Sequence, residues 1–177
     1  MKFLLLLTAL PILAQVTHQR ILNAEKEPAN WLTYSGNFAG HRFSPLKQID
    51  DRNVAKLAPA WVYQSNSLQK FETTPLVVDG VMYITEAPSH VTALDTRTGR
   101  AIWRYRRTMP DDVRVCCGQV NRGVAILGDM VYVGTIDSHL VALDAKTGAV
   151  RWDVVVADNK TGHSITVAPL ADRKSVV

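Results

Sequence analysis

Cysteine is nearly absent from this 177-residue chain, and the two cysteines that occur are neighbours at positions 116 and 117. Two adjacent cysteines supply neither a disulfide-rich scaffold nor the four ligands of a structural zinc site. A long basic run is missing too, because 20 Lys and Arg are scattered among 16 Asp and Glu and the longest basic stretch is 104–107. The sequence therefore predicts no nucleic-acid partner.

The chain also lacks an apolar run long enough to span a bilayer. Its longest run, residues 3–14, falls short of the length that a transmembrane helix needs, so no stable membrane span is expected. Met1-Lys2 precedes this run, which gives the pattern of a secretory signal, and residues 1–14 are predicted to be a signal peptide. An uncleaved anchor or a buried strand is the alternative. With 47% apolar and 20% charged residues, the remainder is expected to be globular.

The last residues break the apolar alternation that precedes them. The stretch DRKSVV, residues 172–177, is what one reading frame of a common sequencing adapter encodes. We therefore expect residues 171–177 to be a non-native read-through tail, with the native sequence ending near Leu170.

A repeat is the strongest internal signal. The pattern A-L-D-x-x-T-G-x-x-x-W occurs at residues 93–103 and again at 142–152, an offset of 49. Ala-Leu-Asp suits the end of a short strand, Thr-Gly suits a turn in which glycine takes a positive φ, and Trp suits the start of the next strand.

A hairpin signal precedes each copy of the repeat. Asp79-Gly80 and Gly128-Asp129 each lie between β-branched or apolar runs. Each unit is thus four short strands, and four-stranded units at this spacing indicate an all-β chain of the β-propeller class. We expect an N-terminal segment over 15–61 and a partial propeller over 62–170. It has blades at about 74–107 and 120–156, and a third begins at 164–170.

Polar residues stand at equivalent places before the first strand of each blade. Glu72 and Thr166 lie three residues before Pro75 and Pro169, and Arg122 follows Asn121, which is 49 residues after Glu72. The first strand of a propeller blade lines the central channel, so these side chains are expected to converge on a ligand near the axis. The alternative is that they are blade-end residues facing solvent. Cys116 and Cys117 are either two free thiols or, behind a secretory signal, a disulfide between neighbours.

These segments resemble the N-terminal part of the pyrroloquinoline quinone (PQQ)-dependent alcohol and methanol dehydrogenases. The resemblance covers about residues 28–170 and is carried by the runs WLTY (31–34), RFSPLKQI (42–49), FETTPLVVDG (71–80), CCGQVNRG (116–123) and SITVAP (164–169). It implies an eight-bladed propeller with PQQ on its axis and a calcium or lanthanide ion beside it. By position it makes Glu72, Arg122 and Thr166 contacts of PQQ. It makes Cys116-Cys117 a vicinal disulfide packed on the quinone.

The resemblance also implies a function. The parent protein is expected to be periplasmic and to oxidise a small-molecule alcohol by hydride transfer to PQQ, with a cytochrome c-type electron acceptor. The family's aspartate base and metal ligands come later in its sequence than the match to Thr166. No catalytic or metal-binding residue is therefore assigned here, and the chain alone is expected to be inactive. The alternative, a non-enzymatic propeller scaffold of outer-membrane protein assembly, leaves Cys116-Cys117 and Arg122 without a purpose.

Overall fold

The computed structural model describes residues 16–176, so the predicted signal peptide lies outside the described residues. Within this range, one short α-helix, α1 (His18–Leu22), and three 3₁₀ turns at Ala24–Lys26, Val54–Lys56 and Asn159–Thr161 accompany eight strands. The strands are β1 (Leu76–Val78), β2 (Val81–Glu86), β3 (His90–Asp95), β4 (Ala101–Tyr105), β5 (Ala125–Leu127), β6 (Met130–Gly134), β7 (His139–Asp144) and β8 (Val150–Val155). Within residues 16–176, no helix has the length and apolar content that crossing a membrane requires.

The strands form two four-stranded antiparallel sheets, β1–β4 and β5–β8, each in sequence order. The registers are equivalent, because Leu76 pairs with Tyr83 in the first sheet and Ala125 with Tyr132 in the second. Asp79-Gly80 and Gly128-Asp129 form the predicted hairpin turns. The sequence-based prediction of two four-stranded propeller blades is confirmed.

Tryptophan and glycine join successive blades. Trp103 of β4 donates from Nε1 to the carbonyl of Ala145 at 3.0 Å, and its ring lies on Gly148, where a Cβ atom would approach Cε3 to 2.5 Å. Gly148 also has a φ of 73°, which other residues adopt at a cost. The glycine of the repeat thus makes room for the indole of the preceding blade.

The N-terminal segment repeats this contact on the first blade. Trp61 donates to the carbonyl of Thr96 at 2.8 Å, and its ring meets a Cβ built on Gly99 at 2.5 Å. The segment is also bridged to β1, where the backbones of Trp31 and Val77 exchange two hydrogen bonds. Residues before the first blade therefore take the place that the tryptophan of a preceding blade would occupy.

The apolar core lies mainly between the two sheets. Buried residues of the first blade, including Leu76 and Val91, share one cluster with Val131 and Val141 of the second blade and with Leu32 of the N-terminal segment. Burial of this cluster drives the stacking of the blades.

A buried ion pair also crosses between the blades. Arg107, just after β4, bonds both carboxylate oxygens of Asp137 at 2.7–3.0 Å and Asp153 of β8 at 2.8 Å. The side chains of Arg107 and Asp137 are only 8% and 5% exposed. Burial opposes ionisation of Asp137, but hydrogen bonds from Arg107 and Thr135 outweigh it and hold the pKa of that carboxyl below its usual value. This ion pair joins the second blade to the residues that follow β4 of the first blade.

The expected opening strand of a third blade is not a strand. Residues 164–170 are irregular, although Ile165 donates to the carbonyl of Thr135 and Thr166 accepts from the backbone N–H of Arg122. These bonds hold the segment beside the second blade along one side only. A β-strand forms only when its backbone pairs with a neighbouring strand, and Pro169 has no backbone N–H to donate to such a neighbour.

Residues 171–176 form a small turn. Ala171 bridges Val176, and the Asp172 carboxylate accepts from the backbone N–H groups of Lys174 and Ser175. Ala171 is buried against the second blade. The non-native origin of 171–177 stays a prediction.

Candidate functional site

Three polar side chains predicted from the sequence meet beside the first strands of the blades. Arg122 Nη2 lies 2.9 Å from Oε2 of Glu72, and Arg122 Nη1 donates to Oγ1 of Thr166 at 2.9 Å. The Arg122 and Glu72 side chains are 39% and 35% exposed, so the cluster is open to a ligand. The arginine lies between an acid from the segment before the first blade and a hydroxyl from the segment after the second.

Backbone hydrogen bonds between blades hold these residues at their spacing. The N–H of Thr74 donates to the carbonyl of Arg122 at 2.9 Å, and the N–H of Arg122 donates to the carbonyl of Thr166 at 3.0 Å. Gly123 permits the close approach, because a Cβ there would lie 3.0 Å from the Thr74 carbonyl oxygen and its φ is 136°. The peptide units at the site thus join one blade to the next.

Asn121 fixes the backbone that carries Arg122. It is 2% exposed, its Nδ2 donates to the carbonyl of Gly134 at 2.7 Å, and its Oδ1 accepts from the N–H of Gly123 at 3.1 Å. The Thr85 hydroxyl donates to the carbonyl of Asn121 at 3.1 Å and lies 3.0 Å from the Thr73 hydroxyl. Asn121 is therefore a structural residue, and its neighbour Arg122 is the one exposed to a ligand.

Cys116 and Cys117 lie in the connection between β4 and β5, and both are exposed. The structure holds them as free thiols with the two Sγ atoms 2.7 Å apart. The hydrogen bond with Cys116 raises the pKa of Cys117, whereas the positive charges of Lys70 and Arg122 act to lower it. The cysteine pair therefore lies in the electrostatic range of Arg122, and the predicted disulfide stays a prediction.

Lys70 is the site residue that the sequence analysis missed. Its positive charge acts to lower the pKa of Cys117, in the same direction as the charge of Arg122. A signal was present, since Lys70 stands two positions before Glu72, one of the residues predicted for the site.

The arrangement sets the hydrogen-bond donors of an arginine, whose charge is paired with Glu72, near an exposed pair of cysteines. Two cations, Lys70 and Arg122, lie near an exposed pair of sulfur atoms. Arginine carries five N–H donors in a planar fork that matches carboxylate and carbonyl oxygens. In the part of the chain that the structure describes, no three His, Cys, Asp or Glu side chains group as metal ligands.

A second buried carboxylate, Glu86, makes no hydrogen bond to Arg122 or Thr166 within residues 16–176. It is 1% exposed and accepts hydrogen bonds from Tyr63, Ser65 and Thr92 at 2.6–3.0 Å. Burial favours its neutral form, but these bonds outweigh burial and keep the pKa below its usual value. Glu86 is an ionised structural anchor for residues 63–65.

Comparison with known proteins gives one consistent result. The family model described as "Glucose/ethanol/alcohol dehydrogenase, beta-propeller domain" matches residues 31–153. The quinoprotein alcohol dehydrogenase PedH of Pseudomonas putida is 42% identical over 89% of this chain and 27% of its own length. The 1-butanol dehydrogenase (quinone) of Thauera butanivorans is 43% identical over 90% of this chain and 26% of its own length.

Solved structures agree with these relatives. The quinohemoprotein alcohol dehydrogenase ADHIIG of Pseudomonas putida HK5 superposes with a TM-score of 0.87 and 46% identity, covering 94% of this chain and 25% of that one. A europium-containing methanol dehydrogenase gives a TM-score of 0.81 and 35% identity, covering 89% of this chain and 28% of that one. The chain thus spans about a quarter of the length of the curated relatives that it matches.

Proposed function

This chain belongs to the β-propeller family of glucose, ethanol and alcohol dehydrogenases, and from that premise we propose that it is the N-terminal part of a periplasmic, PQQ-dependent alcohol dehydrogenase. The family match covers 123 of 177 residues, from 31 to 153, and favours an enzyme over the propeller scaffold considered above. The parent enzyme oxidises a small-molecule alcohol and passes electrons to a cytochrome c-type acceptor.

The residues present fit PQQ, a flat quinone with three carboxylates. Arg122 and Lys70 supply positive charge, and Arg122 has N–H donors beyond those bonded to Glu72 and Thr166. Cys116 and Cys117 offer an exposed sulfur face of the kind that a planar ring can cover. Glu72, Arg122, Thr166 and the cysteine pair are thus the proposed cofactor contacts, with Lys70 added.

Within this site each side chain has a separable task. When bound, PQQ supplies the carbonyl that accepts a hydride from the alcohol carbon. Arg122 would bind oxygen atoms of PQQ, and Glu72 and Thr166 orient its guanidinium from two sides. Cys116 and Cys117 would exclude water from the bound quinone. The calcium or lanthanide ion and the catalytic base are held by residues of later blades.

The observation that carries this proposal is the pair of contacts on Arg122. One guanidinium is held at 2.9 Å by groups from the segments before the first blade and after the second, on the surface where the cysteines lie. Such fixation preorganises a donor fork for a planar ligand.

The test uses this chain grafted in place of the matching quarter of the Pseudomonas putida quinohemoprotein. We expect the chimera to bind PQQ and to reduce dye when alcohol is added, and Arg122→Lys to weaken PQQ binding about tenfold or more, because Lys lacks the planar fork. Arg97→Lys is the matched control, since Arg97 is 86% exposed in a blade turn. Failure of the unsubstituted chimera to bind PQQ would refute the proposal.

The 177-residue chain by itself provides a second arm of the test. With PQQ and calcium added, it is expected to show no alcohol-dependent dye reduction, because the base and metal ligands are assigned to later blades. Dye reduction by this chain alone would contradict that assignment.

A further inference from the structure

We propose that Asn159 is a positioning residue, which holds the Cys116–Cys117 loop in place relative to Arg122 and Thr166. The inference rests on the proposed function for its link to PQQ. Its structural part stands on the hydrogen bonds of one side-chain amide that joins three separate segments of the chain.

Asn159 bonds both backbone groups of Arg114, two residues before Cys116. Its Oδ1 accepts from the Arg114 N–H at 2.9 Å, and its Nδ2 lies 3.2 Å from the Arg114 carbonyl, the longest of three contacts that share its two N–H groups. A side-chain amide that contacts both the N–H and the carbonyl of one residue pairs with the backbone as an adjacent β-strand would. This pairing fixes the path of the chain at Arg114.

The loop has almost no other polar connection to the fold. Among the hydrogen bonds of residues 108–117, all within the described range, only the two with Asn159 leave the loop. The remaining polar tie is an ion pair of 3.3 Å between Lys160 and Asp112, and both side chains are more than 60% exposed. Exposed pairs of this kind contribute little. The place of the cysteines therefore depends largely on Asn159.

The same amide also binds the second blade and the segment that leads to Thr166. Nδ2 lies 2.9 Å from the carbonyl of Ile136, between β6 and β7, and 2.6 Å from the carbonyl of His163. Thr166 is three residues beyond His163. Asn159 thus links the loop carrying the cysteines to the arm carrying the hydroxyl that binds Arg122.

Local structure fixes Asn159 itself. It begins the 3₁₀ turn Asn159–Thr161, which Asp158 caps by accepting from the N–H of Lys160. Gly162 ends the turn with a φ of 94°, and the Thr161 hydroxyl donates to the carbonyl of Asp158 at 2.8 Å. The Asn159 side chain is half-buried. Because the turn already orders its backbone, little further conformational entropy is lost when the side chain forms its hydrogen bonds.

The test compares Asn159→Ala and Asn159→Asp with Asn53→Ala. Asn53 is a matched control in the N-terminal segment, because its amide also bonds two backbone groups, the Asp50 N–H at 2.9 Å and the Gln48 carbonyl at 2.8 Å. The aspartate variant keeps the acceptor for the Arg114 N–H but sets a carboxylate oxygen against the carbonyls of Ile136 and His163, so its effect should be at least as large as that of alanine.

The first readout needs no cofactor. Each full chain is equilibrated with reduced and oxidised glutathione, and the dithiol and disulfide forms of the cysteine pair are counted by mass after alkylation. We expect Asn159→Ala to move the equilibrium about tenfold, a shift of about 30 mV for this two-electron couple. Asn53→Ala should leave it unchanged. No shift in either Asn159 variant, or an equal shift in the control, would overturn the assignment.

The second readout is the affinity for PQQ in the chimera described above. Asn159→Ala is expected to weaken binding about tenfold, equivalent to about 1.4 kcal/mol, and Asn159→Asp by at least as much. An unchanged affinity in a variant whose redox equilibrium has moved would overturn the positioning role. Failure of the unsubstituted chimera to bind PQQ would instead refute the proposed function, and the glutathione equilibrium would still decide whether Asn159 anchors the loop.

Discussion

Replacing Gly148 by alanine perturbs the contact between the two blades at a single point. The new Cβ would lie 2.5 Å from Cε3 and 2.7 Å from Cδ2 of Trp103, which is closer than carbon atoms approach in folded proteins. The indole must then move, and its 3.0 Å hydrogen bond to the Ala145 carbonyl is strained or lost.

The expected cost has two parts. Alanine at a φ of 73° loses about 1 to 2 kcal/mol in the left-handed region. Overpacking against the Trp103 ring adds about 1 to 3 kcal/mol. Gly148→Ala should therefore lower the free energy of unfolding by about 3 kcal/mol.

Gly128→Ala separates the two parts. Gly128 has a φ of 64°, but a Cβ there meets no atom within 4 Å, so only the conformational cost of about 1 to 2 kcal/mol applies. Urea unfolding followed by tryptophan fluorescence compares the variants. Gly99→Ala should match Gly148→Ala, because its Cβ meets Trp61 at the same 2.5 Å. Equal losses for the variants at 128 and 148 would refute the proposed Trp–Gly contact.

Three further changes test other contacts. Arg107→Ala should lower the free energy of unfolding by about 3 to 5 kcal/mol, because it leaves the 5%-exposed Asp137 carboxylate buried without its partner, and thermal unfolding would measure this. Burial opposes ionisation of Asp144, but hydrogen bonds led by that from Arg151 lower its pKa to about 2, so its stabilising effect is present above about pH 4 and is lost as the pH falls towards 2. In Asp144→Asn, the free energy of unfolding should therefore depend less on pH over this acid range. Thr166→Val removes a 2.9 Å bond to the Arg122 guanidinium and should weaken PQQ binding in the chimera about tenfold, measured by calorimetry.

Each change has a control and a contradicting result. Arg97→Ala should cost almost nothing, since that side chain is 86% exposed, and an equal loss in both arginine variants would contradict the buried pair. An unchanged slope of stability against pH in Asp144→Asn would exclude that carboxylate as the titrating group. Thr98→Val is the control, because the Thr98 hydroxyl bonds only within its own blade turn, to the Asp95 carboxylate and the Arg100 N–H, so PQQ binding as weak there as in Thr166→Val would contradict the Arg122 contact.

The sequence predicted those features that repeat. The 49-residue offset places Leu76 and Ala125 at the same register position, and the structure pairs both with the equivalent tyrosine. Equivalent positions along that repeat also predicted that Glu72, Arg122 and Thr166 lie close together. The structure shows both Glu72 and Thr166 at 2.9 Å from the Arg122 guanidinium. Periodicity reveals such positions because each blade repeats the same backbone path.

The features that do not repeat were not predicted. Arg107 reaches Asp137 over 30 residues, and Asn159 reaches Arg114 over 45, through side chains without counterparts at the offset of 49. Residues 164–170 read as a strand from their composition, yet β-structure also depends on a neighbouring partner, which propensity does not encode. Single long-range contacts between unlike residues leave no pattern in one sequence.

The tryptophan contacts give the stack of blades a direction. Each blade offers an indole on one side and a glycine turn on the other, and Trp61 already fills the turn at Gly99. Trp152 packs on Tyr132 with ring centroids 5.8 Å apart, and its indole N–H has no acceptor among residues 16–176. Through this contact, a further blade can therefore pack only on the Trp152 side of the stack. The N-terminal segment thus closes this side of the first blade with the same indole–glycine contact that joins the two blades.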